Sequence, residues 1–153
     1  MKKSQEELIK KANDLLLGEY GWCVHCIEDN DYNIIEYHTH GLLLIFGHID
    51  LQILSVPDLP ISKAYDIINS IVSSIIDDEK FTNDDEFTIK NDDTLYKMKM
   101  VLENGFDRPL LRIIIPDENN LYPWDEGVNP YYELQFTGKD MKTNNYMVYG
   151  FYE

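Results

Sequence analysis

Basic side chains are scarce in this chain: 13 lysines and arginines stand against 28 aspartates and glutamates, a formal charge of −15 over 153 residues. So acidic a surface repels phosphate backbones and anionic lipid headgroups, which disfavours nucleic-acid and membrane-surface binding. A basic protein partner would instead be steered toward it. Cysteine is nearly missing, and Cys23 and Cys26 are too few for a disulfide framework. No apolar run reaches the roughly 18 residues that point to a membrane span. The opening MKKSQEELIKKA lacks the apolar core of a signal peptide, so a cytoplasmic location is expected. There is no glycine-rich phosphate loop, nucleophile elbow or HExxH helix, which counts against the commonest nucleotide enzymes, hydrolases and metalloproteases.

What is present is an ordinary globular composition, 44% hydrophobic, in a length that fits one domain over residues 1–153. Ser4 and Glu7 form a capping box, followed by Leu8, Ile9, Ala12, Leu15 and Leu16 at helical spacing, which predicts an amphipathic helix over 5–17. Residues 20–28 read as a strand, with Asp29-Asn30-Asp31 as the turn into a second strand over 34–40. The apolar linker Leu42–Phe46 is expected to pack on the core or line a pocket, ahead of a strand over 49–54. A second helix is predicted from Pro60 or Ser62, with Ala64, Ile68, Ile71, Val72 and Ile75 as its buried stripe. The acid-rich stretch 77–93 is expected to be an exposed, mobile connection with a short strand near Phe87–Ile89. Further strands are expected from Tyr96, at Leu110–Ile115, around Tyr132–Phe136, and at Tyr146–Phe151. Hairpin-length links between the strands predict an α+β domain rather than a βαβ repeat. The expected architecture is one mostly antiparallel or mixed sheet of about six to seven strands with two main helices.

The chemistry-bearing residues gather around the strands at 34–40 and 49–54. Strand side chains alternate between faces, so Glu36, His38 and His40 share one face of the first, and His48, Asp50 and Gln52 share one side of the second segment. His38 and His40 would sit about 7 Å apart along the backbone. Imidazoles with a carboxylate suit a divalent metal such as zinc, and His48 or Asp50 could complete the ligand set. The same groups could work without metal, with His48 as general base and Asp50 or His40 as its partner. Hydrogen-bonded structural histidines are the plain alternative. The HxH pair lacks the glutamate that a cupin motif carries a few residues on, because Gly41-Leu42-Leu43-Leu44-Ile45 follows it.

Cys23-Val24-His25-Cys26 has CxxC spacing, but on a strand its cysteines point to opposite faces, so buried structural cysteines are expected; His25 could border the central site. Trp124, in the turn-rich Pro123–Gly127 segment, suits either an anchor of that loop on the core or a wall of the pocket, beside Gln52.

Gly21-Trp22, His40-Gly41-Leu42, Phe46-Gly47-His48, Ile115-Pro116-Asp117 and Tyr122-Pro123-Trp124, in that order over about residues 20–136, resemble a bacterial family catalogued as domain of unknown function (DUF) 4262. The resemblance implies a shared fold and a polar pocket near the Gly-His pair, and implies no activity. Three functional readings stay open from the sequence. The first is a pocket of His38, His40, His48 and Asp50, with Gln52 and Trp124, that binds a small ligand or a divalent metal. The second is an immunity or antitoxin-type protein whose acidity captures a basic partner. The third is an enzyme of unknown substrate with His48 as base.

Overall fold

In a computed structural model, the residues described are 21–29, 34–54, 56, 59–103, 109–137 and 149–151. The helix expected over 5–17 and most of the turn after Asp29 lie outside them. Strand β1 (Cys23–Asp29) pairs antiparallel with β2 (Ile34–His40), and β2 with β3 (Asp50–Leu54). Beyond β3 the direction rule changes, because β6 (Pro109–Ile114) lies parallel to it. A parallel neighbour requires a crossover, and the chain makes it through helix α2 (Ile61–Ile76) and the hairpin of β4 (Glu86–Thr88) with β5 (Leu95–Glu103). β5 then pairs antiparallel with β6, and β7 (Tyr149–Phe151) pairs with the far half of the same β5 edge that β4 uses. The result is a mixed sheet of seven strands in an α+β arrangement. Among the described residues no helix is long and apolar enough to cross a membrane.

The apolar stripe of α2 explains the layer order. Ala64, Ile67, Ile68, Ile71, Val72 and Ile75 are all buried, against Tyr37, Leu51, Ile53, Tyr96, Met98, Leu111 and Ile113 from one face of the sheet. Pro60 sits in extended backbone just before the helix and supplies the carbonyl for the Ala64 N–H, as a residue with a fixed φ can. The central strands β3 and β6 are covered on both faces: all five residues of β3 are buried, as are five of six in β6. The opposite face therefore has its own interior, in which a polar row runs among Leu54, Leu110 and Ile114. Register places Glu36, Gln52 and Arg112 on it, and all three are buried.

Two expectations fail locally and a third holds in part. The segment around Tyr132–Phe136 is not a strand but a 3-10 turn (Pro130–Tyr132) and a short helix, α3 (Leu134–Thr137). Asn129-Pro130 decides this, since the Asn129 side chain accepts from the Tyr131 N–H and its carbonyl from the Tyr132 N–H. Leu42–Phe46 forms a five-residue helix, α1, that buries Leu42 alone. Leu43, Leu44 and Ile45 face outward, Leu44 at 88% exposure, so this segment packs on the core only through Leu42 and Phe46. Cys23 is buried as expected of a structural cysteine, but Cys26 is exposed, and the two are not joined in a disulfide.

The acid-rich stretch is more structured than its composition predicts. Phe81, Phe87 and Ile89 pack against the core between exposed residues, and β4 lies at Glu86–Thr88. Asp92 accepts from Lys63 Nζ at 2.8 Å, Tyr96 Oη at 2.6 Å and the Thr94 N–H at 2.9 Å. Burial would raise its pKa, but these donors hold the carboxyl well below the ordinary carboxylate range. A depressed folded pKa gives stability that is present above the unfolded value of about 3.9 and lost as pH falls below it. Asp92→Asn is therefore expected to cost about 1–2 kcal/mol at neutral pH and to flatten the acid limb of a stability–pH curve below about pH 4. Urea melts of both proteins at several pH values check this, and parallel acid limbs would remove the assignment.

Candidate metal centre

β1 and β2 pair in full register, which sets His25 opposite His38 and Cys23 opposite His40. Opposed residues of an antiparallel pair share a face, so three imidazoles meet on the polar side of the sheet. Their ring centroids lie 4.2 Å (His25–His40), 4.6 Å (His38–His40) and 5.3 Å (His25–His38) apart. One nitrogen from each lies within 4.8 Å of the others; His25 and His40 are half-buried and His38 almost wholly buried. Zinc–nitrogen bonds of about 2.0–2.1 Å would set tetrahedral ligand edges near 3.3 Å, so small side-chain rotations bring this triangle onto an ion.

The triad does not stand alone. His38 Nδ1 is hydrogen-bonded to Glu36 Oε1, two residues back on the same face, and its Nε2 lies 2.8 Å from His40 Nε2. The other oxygen of Glu36 accepts from Gln52 Nε2 at 3.0 Å, and Gln52 Oε1 accepts from Arg112 Nε at 2.7 Å. Arg112 also donates to the Gln135 carbonyl at 2.9 Å, while the Gln135 amide clasps the backbone N–H and C=O of Ile115. A carboxylate on the remote nitrogen of a histidine is the usual partner of a metal ligand, because it fixes the ring and raises its basicity.

The structure divides the residues picked out from the sequence. His38 and His40 stand in the cluster, and Gln52 stands behind it as a buried link between Glu36 and Arg112. His48 does not join them. Its Nδ1 donates to the Ile49 carbonyl at 2.8 Å, and its Nε2 accepts from the Phe81 N–H at 3.0 Å. Both nitrogens are thus committed to backbone, tying the start of β3 to the segment after α2, and neither remains to act as a base or ligand. Asp50 is a brace as well. Its Oδ1 accepts from the Thr39 hydroxyl at 2.8 Å and from the Leu42 N–H at 3.2 Å, which satisfies an orphan donor in the first turn of α1.

Trp124 is no wall of this cluster. It stacks on Tyr122 with centroids 5.5 Å apart, and Lys97 and Lys99 of β5 place their ammonium groups over the two rings. β5 lies three strands from β2, about 14 Å at ordinary strand spacing. The loop that carries it is organised by Asp117, whose carboxylate accepts from the N–H groups of Asn119, Leu121 and Asn129. Burial works against that carboxylate, but the three donors lower its pKa.

Sequence reasoning underplayed His25 and did not pick out Glu36 as an orienting group or Arg112 at all. The signal for His25 lies in the hairpin register. No family model matches the chain, and neither a curated protein nor a solved structure shows detectable similarity to it. Where β1 and β2 begin and end, Gly41 packs directly against Gly21 and Trp22.

Proposed function

We propose that this protein binds a divalent transition metal, zinc before others, through His25, His38 and His40. The observation that carries the proposal is the convergence of three imidazoles from paired strands, one of them backed by a carboxylate on its remote nitrogen. Nitrogen ligands favour zinc, copper or nickel over manganese or magnesium, which prefer oxygen. Among the described residues no fourth His, Cys, Asp or Glu joins the group. Three protein ligands with a further position for water or a ligand is the pattern of reactive rather than purely structural zinc.

The experiment is elemental analysis of untagged protein with calorimetric titration of zinc and manganese. One equivalent of zinc is expected, with manganese much weaker. Alanine at His25, His38 or His40 should each weaken zinc binding by more than the about 10–100-fold that loss of an outer partner brings. His48→Ala should leave zinc affinity unchanged while lowering stability by about 1–3 kcal/mol, through the unpaired Phe81 N–H. Absence of metal and of binding heat in the parent protein would sink the proposal.

Capture of a basic partner draws less support. Asp84 and Glu86 pair with Lys99 and Lys97, Asp92 pairs with Lys63, and Asp85 accepts from the Thr82 N–H, so half of the acid-rich stretch serves local structure. The reading of His48 as the base of an enzyme is not carried by a ring whose two nitrogens both hold backbone.

A further inference from the structure

The buried polar row from Arg112 to His38 has a direction, and the direction can be read from one end. A guanidinium only donates. Since Arg112 Nε donates to Gln52, the Gln52 amide must turn its oxygen toward β6 and its NH2 toward β2. That NH2 donates to Glu36 Oε2, so Glu36 is an acceptor on that side. Its other oxygen meets His38 Nδ1, and between a carboxylate and an imidazole the proton stays on the more basic nitrogen. Arg112 fixes the Gln52 amide, Gln52 holds one oxygen of Glu36, and the carboxylate, which only accepts, fixes His38. His38 ends with its proton on Nδ1 and its lone pair on Nε2, the atom beside His40.

We infer that Gln52 and Arg112 are positioning residues of the metal site: they hold the Glu36 carboxylate, whose other oxygen selects the tautomer of His38 that offers Nε2 as a ligand. Neither touches the ion. Arg112 sits on β6, two strands from His38, fully buried and anchored to Gln135. The inference rests on the metal-binding reading for its purpose, but its core claim concerns where one proton sits, which can be measured without metal.

Glu36→Gln is nearly isosteric and sets the test. With Arg112 in place, Gln52 cannot turn its amide, so its NH2 still needs an acceptor at position 36. The new amide must present its oxygen to Gln52 and its NH2 to His38 Nδ1. His38 then accepts at Nδ1 and moves its proton to Nε2, the wrong atom for a ligand. Exchanging the pair, E36Q with Q52E, repairs the row: the new carboxylate at position 52 accepts from Arg112 and from the amide at position 36, whose oxygen again receives the His38 Nδ1–H. The exchange keeps the charge and the atom count of the parent.

Long-range nitrogen–proton NMR of the metal-free protein, at mildly alkaline pH, reads the tautomer directly. His38 should carry its proton on Nδ1 in the parent, on Nε2 in E36Q, and on Nδ1 again in the exchanged variant. Zinc affinity should fall by about 10–100-fold in E36Q and return in the exchange. An Nδ1–H in E36Q, or an Nε2–H in the exchanged variant, overturns the inference. If E36Q does not fold, the exchanged variant decides: folding with an Nδ1–H upholds the inference, and any other result overturns it. The two readings fail separately. A parent protein that takes up no zinc but follows the tautomer pattern loses the metal function and keeps the positioning row; zinc binding with an unmoved proton does the reverse.

Discussion

Gly41→Ala is expected to lower the midpoint of thermal unfolding by about 6–12 °C, the shift that ~3 kcal/mol gives in a domain of this size. Two costs add. Gly41 has φ of 102°, where a side chain is strained by roughly 1–2 kcal/mol. A Cβ there would also stand 2.1 Å from the Gly21 carbonyl oxygen and 2.9 Å from Trp22 Cα, which are backbone atoms that cannot rotate away. The clash must push the start of β1 off the end of β2, and β1 carries His25. Gly47, at the other end of the same short helix, is the control. Its φ is 67°, but nothing lies within 4 Å of a Cβ there, so Gly47→Ala should show only the conformational cost of about 1 kcal/mol. Thermal melts with zinc titrations of both variants test this: Gly41→Ala should lose zinc affinity as well as stability, and Gly47→Ala should keep its affinity. Equal melting shifts would show that the close approach of the two strand ends carries no weight.

That junction also shows what could be read from the sequence and what could not. The strands, the α2 stripe and the face shared by Glu36, His38 and His40 follow from periodicity alone, because a two-residue or 3.6-residue repeat survives in any register. The partner of His38 does not. A turn centred on Asn30 would set His25 opposite Ile35, on the far face, whereas the actual register sets it opposite His38. In a sheet an odd displacement reverses every side chain, so a small error in the turn moves a ligand through the sheet. His48 misled for a related reason. Alternation assigns it a side of the sheet, but it lies before β3 begins, and its ring turns to the backbone of Ile49 and Phe81. Composition reports how apolar the linker Leu42–Phe46 is and not that only its two ends are covered. Arg112 lies in a run of leucines and isoleucines that periodicity reads as plain core. Its importance appears only once β6 is placed beside β3 and Gln52 is found at its side.

Arg112→Ala should be among the most damaging single changes in the chain, at about 3–5 kcal/mol. The side chain is fully buried, so its removal leaves a cavity in a central strand and takes the donors from Gln52 Oε1 and the Gln135 carbonyl. It also strips the buried Glu36 carboxylate of the cation at the far end of its hydrogen-bonded row. Arg112→Met separates these effects. It retains most of the volume, so the cavity cost largely disappears and the polar and charge costs remain, at about 1–3 kcal/mol for each acceptor left unpaired. Adding Glu36→Gln to Arg112→Met then removes the uncompensated anion and frees Gln52 to turn its amide. The double variant should therefore be more stable than the sum of the two single losses predicts, by about 0.5–3 kcal/mol, the range of coupling for residues in one network. Chemical denaturation of the four proteins closes this cycle. Strict additivity would mean that Arg112 is held in the interior by its own local bonds and has no energetic link to Glu36.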